Sequence, residues 1–249
     1  MNKNQDEPAT LPATDRQLFF VLDAFGTLIK PRTGVIDIYC RIGRQFGTRL
    51  SREQVVQRFR EGRKKFFAPK SEDDQLISSD EIERGLWRDL VEFVFDDTGN
   101  VQELFEQLWH HFSLPENWTL YEDTRPFLER LNRSGRPFVI ASNFDTRLNG
   151  IVEASADLSR AQFVYCSATV GYRKPSTGFY RFVESDMLDR FGPVELFMVG
   201  DDYENDVAAP GRAGWKATHL CRTKDAAMPV AGLMTDEESV SSLLDLPGL

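Results

Sequence analysis

Five short apolar runs constrain this chain more than anything else in it: LFFVLD at 18–23, FVIAS at 138–142, FVYC at 163–166, ELFMV at 195–199 and ATHLC at 217–221. Several are apolar at consecutive positions, without the alternation of a strand that has one wet face. A strand of that kind must be covered on both sides. Between the runs lie stretches with helical spacing, at 123–134, about 145–154, about 176–189 and about 204–213. Such strand–helix alternation predicts an α/β fold, a doubly wound parallel sheet with right-handed crossovers.

The rhythm breaks once. Residues 32–116 hold no convincing strand. SREQVVQRFREGRKKFF opens with Ser51 and Gln54 at capping-box spacing, and EIERGLWRDLVEFVF and VQELFEQLWHHF are amphipathic. The expected organisation is a polar flexible tail at 1–16, an α/β core from 17–31 and 117–249, and a helical lobe at 32–116 with a surface loop at 68–80. The lobe's many aromatics, Phe59, Trp87 and Phe95 among them, read as bundle interior. Tyr39 is a candidate for facing a cleft. His110 and His111 read as a solvated face, and Arg173 as a surface residue.

Thirty basic against 39 acidic residues give a formal charge of −9. That balance argues against general binding to nucleic acid or an anionic membrane, but not against a small anion held in a locally positive site. Cys40, Cys166 and Cys221 are odd in number and lack metal-ligand spacing, as expected of free thiols in a reducing compartment. No apolar stretch reaches the length of a membrane span, and the start has no signal-like apolar segment. These features point to a cytoplasmic protein.

In an open parallel sheet, ligands collect at the carboxyl ends of the strands. The unusual polar residues fall there. Asp23 ends the first run, Ser142 and Asn143 end the second, Lys174 lies in the loop after the third, and Asp201, Asp202 and Asp206 follow the fourth. Taken singly, each has an ordinary reading as a turn former, a cap or a solvated charge. Their conjunction at successive strand ends points to one chemical task. A carboxylate can act as a nucleophile. Magnesium takes hard oxygen ligands. A phosphoryl group in transfer needs hydroxyl, backbone N–H and lysine donors. Asp23, Asp201, Ser142 and Lys174 supply that set, while Gly26 permits a tight turn and Thr27 a hydroxyl beside the nucleophile.

DAFGTL, IASN, GYRKP and VGDDYENDV, in that order, resemble the four motifs of the haloacid dehalogenase superfamily of hydrolases, and the helical insertion is similar to that family's cap. The resemblance implies an aspartyl-enzyme intermediate on Asp23, with Lys174 beside it. It implies substrate binding by Gly26, Thr27, Ser142 and Asn143. It also implies Mg²⁺ held by Asp23, the Phe25 carbonyl and Asp201, with Asp206 reaching the ion through water or orienting Lys174. The expected partner is a small phosphorylated molecule.

One position departs from the pattern. In the family's phosphatases a second aspartate stands two residues after the nucleophile and serves as the acid and base. Here it is Phe25, which exchanges no protons. General acid–base help contributes roughly 10²–10⁴-fold in rate, so alkyl phosphates should react slowly and acyl phosphates suffer least. A 2-haloacid dehalogenase is the runner-up reading, since halide leaves without a proton. Against it, three carboxylates after the fourth run would repel a haloacid anion unless a cation is present. A third reading keeps the scaffold as a ligand-binding module of little turnover.

Overall fold

The structure is a computed structural model and describes residues 16–68, 76–222 and 239–246. The expected tail, apart from its last residue, and most of the 68–80 loop lie outside the described residues. The chain begins with β1 (Gln17–Leu22), turns sharply and enters the short β2 (Ile29–Pro31). Four helices follow: α1 (Val35–Gln45), α2 (Arg52–Phe67), α3 (Asp80–Val94) and α4 (Val101–Ser113). β3 (Trp118–Leu120) then returns to pair antiparallel with β2, Ile29 facing Leu120.

The remainder alternates strands and helices: α5 (Thr124–Arg133), β4 (Phe138–Ser142), α6 (Arg147–Glu153), β5 (Val164–Cys166), α7 (Ser167–Val170), α8 (Thr177–Phe191) and β6 (Val194–Gly200). A π-helical turn at Glu204–Ala208 runs into α9 (Ala209–Arg212), and β7 (Lys216–Leu220) and β8 (Ser239–Val240) complete the set. The sheet order is β5-β4-β1-β6-β7-β8 with every pairing parallel. β1 therefore sits at the switch point. Its Leu22 is registered with Ile140 of β4 on one side and Val199 of β6 on the other. The crevice of such a sheet opens at the carboxyl end of that strand, which is where Asp23 stands.

The apolar run of β1 now has its physical reason. Phe20 and Leu22 pack on one face with Phe127, Leu131 and Leu148 of α5 and α6. Phe19 and Val21 pack on the other face with Phe179, Val183 and Met187 of α8. Both faces are covered by helices, so neither set of alternate positions can be polar. The four inserted helices bury a third cluster of their own, built on Ile38, Val55, Phe59, Leu90, Val94, Leu104 and Leu108. α2 starts with the expected capping box: Ser51 Oγ accepts from the Gln54 N–H at 3.3 Å, and Gln54 Oε1 accepts from the Ser51 N–H at 2.8 Å. Tyr39 is buried among Phe59, Phe95 and Phe112. His110 is exposed, whereas His111 is half-buried with Nδ1 3.1 Å from Asn117 Nδ2.

Asp123, just ahead of α5, ties the end of the chain to the core. Its carboxylate accepts from both Arg222 terminal nitrogens (3.0 and 2.9 Å), the Ser242 hydroxyl (2.9 Å) and the Leu243 N–H (2.8 Å). Burial alone would push this carboxyl up. The Arg222, Leu243 and Ser242 bonds outweigh it and hold it below the usual carboxylate range. A group with a depressed folded pKa stabilises above its unfolded value and loses that contribution as pH falls through the folded one. Asp123→Asn should therefore lower stability by about 2–3 kcal/mol near neutrality. The gap to wild type, followed by thermal melts, should close below about pH 4.

Candidate active site

The turn after β1 is built for close approach. The Ala24 carbonyl accepts from the Leu28 and Ile29 N–H groups at 2.8 and 2.9 Å, which folds the chain back at once. Gly26 has φ +90°, and a Cβ there would stand 2.3 Å from Asp201 Oδ2. Glycine is thus demanded twice, by the backbone and by the carboxylate behind it. Thr27, fully buried, donates its hydroxyl to Asp201 Oδ1 at 3.3 Å. Phe25 points outward, 45% exposed, with its ring edge-on to Trp118 at 6.0 Å.

Lys174 is the hub. Its Nζ donates to Asp206 Oδ1 at 2.6 Å, to Asp23 Oδ1 at 2.8 Å and to the Ala141 carbonyl at 3.0 Å, which accounts for all three ammonium protons. Asn143 aims it: the side-chain amide donates to the Lys174 carbonyl at 2.8 Å and its oxygen accepts from the Lys174 N–H at 2.7 Å. Both polar ends of Asn143 are thus engaged by the main chain of Lys174, a role that spacing alone does not reveal. Ser142 is buried between Ala141 and Asn143, the two residues that hold the lysine.

The loop after β6 supplies the remaining carboxylates. Asp206 is buried, and its Oδ2 accepts from the Asp202 N–H at 3.1 Å. A Cβ on Gly200 would stand 2.1 Å from that same oxygen, so the glycine before Asp201 is as constrained as Gly26. Asp202 Oδ1 accepts from the Asn205 N–H at 3.0 Å and shapes the π-helical turn. The Tyr180 hydroxyl closes that turn by donating to the Asn205 carbonyl at 2.5 Å. His219 Nε2 donates to the Asp201 carbonyl at 3.1 Å, and Arg222 donates to the Thr27 carbonyl at 2.7 Å. Sequence reading overlooked Gly200, His219 and Arg222. His219 lies at a strand end on the same sheet edge, a signal that was present in its position.

Asp23, Asp201 and Asp206 each place a carboxylate oxygen within 4.8 Å of the others. Three carboxylates so close face a single lysine. Burial, then Asp23, Asp206 and Asp202, push Asp201 well above the usual carboxylate range, with Lys174 opposing. Burial also raises Asp206, to about 7, against the pull of Lys174 and with the help of Asp23. For Lys174, burial disfavours the charge, but Asp206 and Asp23 more than offset it and raise its pKa. Surplus negative charge on hard oxygens, with one cation already present, is what a divalent ion such as Mg²⁺ requires.

Arg173 corrects the expectation of a surface residue. It is buried, with Nε 3.3 Å from Glu83 Oε1, and Glu83 of α3 is itself buried. The clue was Glu83 standing on the same face of α3 as Leu86, Trp87 and Leu90, where a lone acid needs a partner.

A haloacid dehalogenase-like hydrolase family model matches residues 19–214. The chain belongs to that family, and it is a hydrolase of that class. Haloacid dehalogenase-like hydrolase domain-containing protein 3 of Danio rerio is 29% identical over 215 residues, 82% of this chain and 84% of the relative. The fold is similar to that of the HAD-hydrolase YfnB from Bacillus subtilis, solved bound to magnesium, with TM-score 0.67 and 13% identity over 92% of this chain and 96% of that one. It is also similar to a 2-haloacid dehalogenase from Pseudomonas syringae pv. Tomato DC3000, with TM-score 0.55 and 18% identity over 93% and 96% of the two chains.

Proposed function

We propose that this protein hydrolyses small phosphorylated compounds in a magnesium-dependent reaction through Asp23, and that it favours acyl phosphates and other substrates with good leaving groups. The observation that carries this reading is the set of Asp23, Asp201 and Asp206 oxygens within 4.8 Å of one another, balanced by Lys174 alone. A metal-independent dehalogenase has no use for that surplus of negative charge, which would repel a haloacid. The three carboxylates, with the Phe25 carbonyl, would hold the ion. The ion would neutralise them and the phosphoryl oxygens.

The chain's own residues divide the remaining work. Lys174 holds Asp23 Oδ1 at 2.8 Å, which leaves Oδ2 to attack phosphorus. The new Asp23–phosphorus bond forms as the bond to the leaving oxygen breaks, with its electron pair going to that oxygen. Water then cleaves the aspartyl phosphate to orthophosphate. Thr27, Ser142 and Lys174 line the place where phosphoryl oxygens gather charge. The helices of residues 32–116 serve as a cap that excludes bulk water and selects the substrate. The reaction takes place in the cytoplasm, on a free small molecule.

The test is orthophosphate release from acetyl phosphate and from p-nitrophenyl phosphate, with Mg²⁺ and with chelator. Release that stops with chelator and returns with Mg²⁺ is the expected result. Metal-independent halide release from 2-chloropropionate would replace this reading with the dehalogenase one, which the apolar Phe25 at the mouth of the site favours.

A further inference from the structure

A second group of charges lies between the inserted helices and the core, one residue from Lys174. Arg173 is matched by Glu83, whose Oε1 also accepts from Ser78 at 2.7 Å and from Ser167 at 3.3 Å. Arg63 of α2 has no such carboxylate within hydrogen-bonding distance among the described residues. It lies over aromatic rings instead: its guanidinium carbon is 4.4 Å from the centre of Phe67 and 5.4 Å from that of Trp87. The guanidinium carbon of Arg173 is 4.9 Å from the same Phe67 centre. Two like charges therefore share one ring, and their separation cannot exceed the sum of their distances to it.

Arg63 also feels Asp202 of the catalytic edge and Tyr39 of α1, so it faces the site and not open solvent. Burial, and then repulsion from Arg173, pull its guanidinium below the usual arginine range. Two arginines and Glu83 leave one uncompensated positive charge in a protein of net charge −9. A half-buried, unmatched guanidinium is an unfavourable feature for stability alone. Its planar fork suits a carboxylate or phosphate, and the nearby rings exclude the water that would otherwise satisfy it.

We propose that Arg63, supported by Arg173, receives a second anionic group of the substrate, a carboxylate or phosphate a few atoms from the group that reacts at Asp23. The substrate class is then a phosphorylated compound carrying a further negative charge. This rests on the phosphohydrolase reading for the identity of the reacting group. Arg63 acts as a specificity residue and not in the bond-making step.

Calorimetric titration of the unreactive Asp23→Asn protein with Mg²⁺ tests it, using 3-phosphoglycerate and glycerol 3-phosphate, which differ in one carboxylate. The acid should bind about tenfold or more tightly than the alcohol. Adding Arg63→Met should erase that gap, and Arg63→Lys should narrow it several-fold. Arg63→Met alone should melt no lower than wild type, since the apolar stem still covers Phe67 and Trp87 while the repulsion is gone. Equal binding of the two ligands, or of neither, would overturn the assignment. So would a gap that survives either substitution, or an Arg63→Met protein that melts several degrees lower. Orthophosphate release by wild type is scored separately. If the gap is present but nothing is hydrolysed, the phosphohydrolase reading falls while the anion site stands.

Discussion

Replacing Phe25 with aspartate should raise the hydrolysis of alkyl phosphates by about 10²–10⁴-fold. The position invites the change. Phe25 is 45% exposed, so a carboxylate there keeps its hydration, and the only packing lost is one edge contact with Trp118. The main chain at this residue is unchanged, so its carbonyl stays available. An acid at this point would protonate the leaving alkoxide and then, as its conjugate base, take a proton from the attacking water. Wild type lacks help in both steps. Its first step should therefore depend steeply on leaving-group basicity, and its second should be slow enough for phosphorylated Asp23 to accumulate as a burst. In Phe25→Asp the dependence on the leaving group should flatten and the burst vanish. Steady-state rates across a series of phosphate esters, with rapid-quench sampling of the first turnover, read both. An unchanged rate and slope in the variant would mean that another group already supplies the proton.

The parts of this protein that sequence reveals are those whose physics is local. The run at 18–22 is apolar throughout because helices cover both faces of β1, and the strand is legible for that reason. β2 and β3 have three residues each and β8 two, too few to display a period, and their pairing depends on residues far away in the chain. Asp23, Lys174, Asp201 and Asp206 were legible because polar residues at successive strand ends converge on one edge whatever the loops do. Asn143 was legible as a member of the site but not as the residue that positions Lys174, since that follows from two distances. Arg173 was misjudged because its partner, Glu83, comes from a different part of the chain, and burial of a charge is visible only once both are placed. Gly26 and Gly200 make the same point from the other side. A glycine next to an aspartate suggests a turn, but the reason neither tolerates a Cβ is a carboxylate that another segment or a later turn brings up against it.

Lys174→Met should be the most damaging single change to stability in the site. The lysine is 3% exposed and fills its three donor positions with two carboxylates and a carbonyl. Methionine fills a similar volume and removes the charge. Asp23 and Asp206 are then left facing each other and Asp201 with no cation among them. Deleting one partner of a buried ion pair costs about 3–5 kcal/mol, which for a chain of this length is a fall of roughly 10 °C in melting temperature. In chelator the deficit should depend on pH. Burial and Asp23 already raise Asp206 to about 7 in the presence of the lysine, and without it the carboxyls hold their protons more tightly still. A carboxyl whose folded pKa is raised contributes stability below its unfolded value of about 4 and loses it as pH rises through the folded one. The variant should therefore approach wild type near pH 4 and fall progressively behind through neutrality. Mg²⁺ should stabilise the variant more than the wild type, because in the variant it is the only cation for three carboxylates. Thermal melts across that pH range, with and without Mg²⁺, decide the matter. A variant as stable as wild type at pH 7 would mean that the carboxylates do not depend on Lys174 for their compensation. A variant that Mg²⁺ fails to stabilise would mean that these three carboxylates are not where the ion binds.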